Sequence, residues 1–247
     1  APAPAPTSTT EIAPPQSTAP EPVKEPEPVK EPEPVKTPPS LPANPLIVYE
    51  FESGDVAGTF IKDKSGNESN ATYTKTFVFV PGMRGEALSL NGLGDYVILP
   101  RSEQFDLSAA PFTLSFWVKL NDVGVYQALV SQGTNSNRLT LAYSPATGLA
   151  LGSGYLSGNY IEQGKPTAWD TSWHHVTLAA DPTAFSLYFD GALASTSRRP
   201  DYTILSGGVI WLGAAKYGTD AREYANGAFD DLRVYGRALS ADEVARL

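Results

Sequence analysis

The sequence predicts an all-β domain, a sandwich of two antiparallel sheets, preceded by an extended proline-rich arm. Three observations point there. From Leu46 onward short apolar segments recur with turn residues between them. No segment before the last few residues carries a helical period. Fifteen of the 22 prolines fall between Pro2 and Pro45, a stretch with almost no residues able to form a core.

The arm comes first. Residues 21 to 36 read EPVKEPEPVKEPEPVK, with Lys24, Lys30 and Lys36 on a six-residue period. Proline at nearly alternate positions removes amide donors and fixes φ, so residues 1–45 are expected to be disordered or in polyproline II. At about 3.1 Å per residue such a linker or stalk reaches on the order of 140 Å. Either a spacer crossing a layer of the cell envelope or a generic interdomain linker fits it. An SH3-type ligand fits it less well.

Residues 46–247 then supply twelve candidate strands: Leu46–Glu52, Ala71–Val80, Ala87–Asn91, Tyr96–Leu99, Phe112–Leu120, Tyr126–Gln132, Arg138–Ser144, Gly148–Ser153, Trp173–Asp181, Ala184–Phe189, Val209–Gly213 and Ala228–Tyr235. Alternation is clearest where Phe112, Leu114, Phe116 and Val118 face one way and Thr113, Ser115, Trp117 and Lys119 the other. Phe185, Leu187 and Phe189 likewise oppose Ser186, Tyr188 and Asp190. Asp190-Gly191 has the composition of a type I′ hairpin turn leading into Ala192 and Leu193. In the last strand Leu232 and Val234 share a face, and Gly236 ends it. Ser240 followed by Glu243 has capping-box spacing, so a helical turn over Ala241–Leu247 closes the domain.

Composition excludes some functions. With no cysteine, disulfides and thiolate metal sites are ruled out. A net charge of −9 without a basic stripe argues against a nucleic-acid surface. No apolar run is long enough to span a membrane as a helix. The chain opens on Ala-Pro-Ala-Pro without Met or an apolar leader, so either processing or the bounds of the fragment are expected to have removed what preceded it.

Several motifs together carry a resemblance. Tyr49-Glu50-Phe51-Glu52, Asp63-Lys64-Ser65-Gly66-Asn67, Gly82 to Gly92 and Asp95-Tyr96-Val97 are followed by Phe112 to Val118, Trp173-His174-His175-Val176, Leu187 to Gly191 and Phe229 to Tyr235. In this order they resemble the laminin-G-like, concanavalin A-like jelly roll over residues 46 to 247. The resemblance implies two curved antiparallel sheets, as found in extracellular lectins, carbohydrate-binding modules, adhesion domains and some glycosidases. It leaves function to the site.

The site residues are weighed accordingly. A glycosidase of this fold would carry Glu-x-Asp-x-x-Glu on one strand, to place two carboxylates about the scissile bond. That motif is absent, and no catalytic residue is expected. Asp230 and Asp231 are adjacent, so regular alternation points them to opposite faces, and the same rule separates His174 from His175. By resemblance, a structural calcium would take Glu52, Asp230 and a backbone carbonyl of the Asn91–Gly94 loop, with Gly94 the representative. Asp63 and Asn67 are the second choice, although an Asx-turn with Gly66 at positive φ is the preferred account of Asp63. For sugar binding, aromatic rings near turn residues are the candidates: Tyr126, Tyr155, Tyr160, Trp169, Tyr217 and Tyr224, the tyrosines foremost, with Asn135, Asn137, Asn159 and Arg222 as hydrogen-bonding partners. Trp117, Trp173 and Trp211 lie within strands and are expected in the core.

The resulting expectation is a non-catalytic, extracytoplasmic binding module, at the cell surface, in the periplasm or secreted, that recognises a glycan or glycoconjugate. A structural or adhesive domain binding a surface protein is the alternative, and a glycosidase the third reading.

Overall fold

The computed structural model describes residues 40–73, 75–100, 105–107, 109, 111–133, 138–153, 160–161, 169–198 and 208–247. A compact unit spans Pro39–Leu247, and the proline-rich segment before it lies outside the described residues. That unit takes in Leu41 and Pro42, ahead of the expected start at Leu46: Leu41 packs on an apolar cluster, and Tyr235 donates to the Pro42 carbonyl at 3.4 Å.

Two antiparallel sheets form the body. One has eight strands: β1 (Ile47–Tyr49), β5 (Phe79–Pro81), β6 (Glu86–Asn91), β8 (Phe112–Leu120), β13 (Trp173–Ala180), β14 (Ala184–Phe189), β15 (Ala192–Arg198) and β19 (Asn226–Tyr235). The other has nine: β2 (Val56–Ala57), β3 (Phe60–Ile61), β4 (Ala71–Tyr73), β7 (Val97–Leu99), β9 (Gln127–Gln132), β10 (Leu139–Ser144), β11 (Gly148–Ser153), β12 (Tyr160–Ile161) and β16 (Ile210–Leu212). A separate hairpin pairs β17 (Ala215–Tyr217) with β18 (Asp220–Arg222), and α1 (Ala241–Val244) follows β19. The fold is thus the all-β jelly-roll sandwich expected.

One core fills the space between the sheets. Leu88, Leu90, Phe116, Val118 and Phe229 from the first sheet and Val97, Leu99, Leu129, Leu141 and Leu212 from the second are fully buried. Each such side chain contributes about 1.5–3 kcal/mol by leaving water. A second cluster lies on the outer face of the first sheet, where Ala179, Tyr188 and Tyr235 meet Leu239, Val244 and Leu247. The helical turn is held there by the capping box: Ser240 Oγ accepts from Glu243 N, and Glu243 is paired with Arg237 at 2.6 Å.

Differences from the sequence reading are local. Ala71–Val80 is not one strand: β4 belongs to the second sheet and β5 to the first, with the Phe77 ring packed on Tyr73 at 4.8 Å where the chain crosses. The two-residue strands β2 and β3 and the β17–β18 hairpin are too short to show a period. β15 begins at Ala192, after the hairpin turn as expected, but, exposed along most of its length, has no apolar stripe to mark its extent to Arg198.

β19 organises the first sheet. One edge pairs with β8 throughout; the other is shared, β6 taking Asn226–Phe229 and β1 taking Leu232–Val234. At the changeover the register slips between Asp230 and Arg233, and Asp231 has φ +44. This is a β-bulge, with two residues opposite one on β8. It overturns the expected alternation of Asp230 and Asp231, because both carboxylates now reach Arg84. Asp230 Oδ2 accepts from Arg84 N at 2.9 Å, and Asp231 Oδ2 meets the Arg84 guanidinium at 2.9 Å. Arg84 also donates to the Leu247 carbonyl, and Arg233 pairs with Asp231 at 2.7 Å. Burial pushes Asp230 up to about 6, against the pull of the Arg84 amide.

Two tests follow from this core. A Cβ at Gly227 would meet the Lys119 carbonyl oxygen and come within 3.0 Å of Leu120 Cα, backbone that cannot yield, whereas Gly54 has nothing within 4 Å. Gly227→Ala is expected to lower unfolding free energy by about 3 kcal/mol and Gly54→Ala to change it by less than about 0.5 kcal/mol in denaturant titrations; equal effects would refute the close approach. For Asp230 the folded pKa lies above the unfolded one, so its contribution is fully present below about pH 3.8 and is lost as pH rises through about 6. Measured against Asp230→Asn, the wild type should therefore gain up to about 3 kcal/mol between pH 7.5 and pH 4. A difference that stays flat with pH would mean that the carboxylate is ionised throughout.

Candidate functional site

The half of the first sheet's outer face that the C-terminal turn leaves uncovered carries a groove. Alternation places Leu88, Phe229 and Val118 inward, so their neighbours project outward. Register then lines these up across the strands: Ser89 on β6 opposes Ala228 on β19, Ala228 opposes Lys119 on β8, and Lys119 opposes Trp173 on β13. The next row runs Asp230, Trp117, His175. Small residues form the floor and two half-buried indoles one wall.

Among the described residues, three cavities lie along this face. One of about 270 Å³ is bounded by Val80, Pro81, Ser89, Lys119, Asn121 and Trp173. A second, about 350 Å³, lies between Trp117, Trp173, His175, the Asp190-Gly191 turn and the C-terminal residues Val244 and Leu247. The third, about 370 Å³, is lined by Lys75, Val78, Ser89, Asn91, Leu93 and Asp95.

The floor beneath the tryptophans is fixed by one carboxylate. Asp190 Oδ1 accepts from His175 N at 2.8 Å, and Asp190 Oδ2 accepts from His174 Nδ1 at 3.0 Å. His174 packs between Trp169 and Phe189, while His175 lies 4.9 Å from the Trp117 ring and shares a hydrogen bond of 2.8 Å with Ser115 Oγ. The two imidazoles thus face opposite ways, as alternation requires. Burial pushes His175 down to about 4, despite the carboxylates of Asp231 and Asp190, so its ring is neutral near pH 7.

Trp117 and Trp173 correct the sequence reading. Neither is in the core; both stand on the outer face, as the alternation of Phe116, Trp117 and Val118 already required. Trp211 is also outside the core cluster, although it is buried. Its ring packs at a tilt on Tyr96 at 4.6 Å beneath Lys216, and Tyr96 stacks with Tyr224 at 6.4 Å. Of the expected sugar-contacting tyrosines, Tyr224 joins this ladder and donates to the Ala221 carbonyl, and Tyr126 is half-buried beside β9. Tyr160 and Tyr217 are described only as backbone in β12 and β17, and Tyr155, Asn135, Asn137 and Asn159 lie outside the described residues.

The expected calcium ligands do not meet. Glu52 accepts from Glu86 N at 3.2 Å, and Asp230 accepts from Arg84 N, so both carboxylates hold the Gly82–Gly85 turn. Gly85 sits at φ +66, which disfavours any side chain there, and a Cβ would displace the Glu52 carboxylate. Gly94 lies beyond the other end of β6, about 17 Å of strand away. Asp230 Oδ1 is a buried oxygen without a hydrogen-bond partner among the described residues. No group of three or more His, Cys, Asp or Glu side chains suited to a metal occurs among the described residues. Asp63 forms the Asx-turn: its carboxylate accepts from Val48 N, Ser65 N, Ser65 Oγ and Ser69 N, while Asn67 donates to the Leu46 carbonyl.

Solved structures share this fold. Domain 4 of AbnA, a GH43 extracellular arabinanase from Geobacillus stearothermophilus solved with arabinotriose, is 22% identical with a TM-score of 0.66, over 82% of this chain and 97% of that one. Trypanosoma rangeli sialidase in complex with 2,3-difluorosialic acid gives 17% and 0.61, over 85% of this chain and 33% of that one. The binding domain of botulinum neurotoxin DC in complex with rat synaptotagmin II gives 14% and 0.62, over 82% of this chain and 50% of that one. This chain therefore spans about a third of the sialidase and half of the toxin domain. No curated protein sequence matches it. The Laminin_G_3 family, described as the concanavalin A-like lectin/glucanases superfamily, matches residues 91–245, most of the folded unit, and the chain belongs to that superfamily.

Proposed function

We propose that the domain is a non-catalytic, extracytoplasmic module that binds carbohydrate or glycoconjugate in the groove on the first sheet, with the proline-rich segment as its spacer. The observation that carries this is the pair Trp117 and Trp173. They are half-buried on one face of adjacent strands, with a cavity against both. A pyranose ring offers CH groups that stack on an indole face, and its hydroxyls need polar partners at the rim. Ser89, Lys119 and Asn121 stand there beside Trp173.

Binding rather than hydrolysis is supported by the carboxylates. A glycosidase needs two, about 5–9.5 Å apart according to mechanism. Among the described residues, the two tryptophan-lined cavities hold Asp190 as their one carboxylate, with both oxygens bound to the histidine pair. An extracytoplasmic setting agrees with the extracellular arabinanase whose domain 4 the chain resembles.

The test is binding of the full chain to a broad panel of polysaccharides and glycans, with calcium and again with a chelator. Saturable binding to a related set is expected, weakened about tenfold or more by either Trp117→Ala or Trp173→Ala. Loss with chelator would support a calcium ion at Asp230. Binding indifferent to both tryptophans would move the site elsewhere, and no binding by a folded protein would favour a protein partner.

A further inference from the structure

The three cavities are not independent. Ser89 borders both the Lys75–Leu93 cavity and the central one, and Trp173 borders both the central one and the Trp117 cavity. Ser89, Ala228, Lys119 and Trp173, which line the groove, are cross-strand neighbours in turn, so the groove runs along the hydrogen-bonding direction. From β5 to β14 it crosses five strand spacings, about 24 Å.

Its two ends differ. At the Trp117 end, the Asp190-Gly191 turn closes on the C-terminal segment: a Cβ at Gly191 would lie 3.7 Å from Ala245 Cα. Ala245, Val244 and Leu247 there form a wall. The other end runs out between Lys75 and Leu93, the latter 86% exposed.

Building on the carbohydrate reading above, we infer that this groove takes the end of a linear polysaccharide. The terminal ring lies between Trp117, Trp173 and the C-terminal wall, and the chain leaves past Lys119 and Ser89 toward Lys75 and Leu93. An extended sugar chain advances per ring by about one strand spacing, so about five rings are accommodated. A single sugar would fill only the walled cavity. A mid-chain segment would have to pass through the contact between Gly191 and Ala245.

The experiment titrates the full chain with size-graded oligosaccharides, from disaccharide to octasaccharide, of arabinan, xylan and mixed-linkage β-glucan. Each is used plain, with a labelled reducing end, or with a blocked non-reducing end. Affinity is expected to rise with length and level off near five rings, and to fall about tenfold or more when one particular end is modified. The double variant Lys75→Ala, Leu93→Ala, at the exit, should weaken the octasaccharide about fivefold and leave the disaccharide unchanged. Binding that is sensitive to Trp117→Ala but indifferent to length, or to modification of either end, overturns the inference while the carbohydrate reading stands. Absence of binding by every sugar overturns both.

Discussion

The first sheet depends on one irregularity, the extra residue in β19. Because β6 and β1 must share a single edge of that strand, the pairing has to be handed from one to the other at Asp230 and Asp231. The bulge turns two carboxylates to the same side, and buried carboxylates need partners. Arg84 serves both, through its amide and its guanidinium, and so fixes the turn between β5 and β6. The same guanidinium reaches the Leu247 carbonyl. One residue therefore couples the edge of the sheet, its bulge and the segment that walls the groove.

The outer face of this sheet is divided by that segment. Over one half, Tyr188 and Tyr235 are covered by Leu239, Val244 and Leu247. Over the other half, the floor is a run of small residues flanked by indoles. This division makes a groove from what would otherwise be a flat sheet surface. A sheet with one face packed on the core normally presents the other to water with polar side chains. Here two tryptophans occupy that position.

Much of this was legible in the sequence. The strands Phe112–Leu120, Gly148–Ser153 and Ala184–Phe189, the capping box at Ser240 and the Asx-turn at Asp63 all follow from local rules, because the interactions that fix them lie within a few residues. Trp117 was legible too, since Phe116 and Val118 must face inward; size and apolarity suggest a core residue, but alternation decides. What lay beyond reach depends on residues distant in sequence. That Glu52 and Asp230 hold one turn while Gly94 lies at the far end of β6 is set by strand order. The bulge, likewise, follows from two strands competing for one edge, which no window of β19 alone contains.

Asp190 shows what such packing implies for the thermodynamics of association. A carboxylate whose two oxygens hold two neighbouring histidines leaves the floor below Trp117 with few conformers to lose. On the carbohydrate reading proposed above, recognition there would proceed with little ordering of the protein, so the entropy lost on complex formation would come chiefly from the ligand's own torsions. Stiff saccharide backbones would then be favoured over flexible ones of equal contact area, a selectivity that arises from rigidity and not from any additional contact.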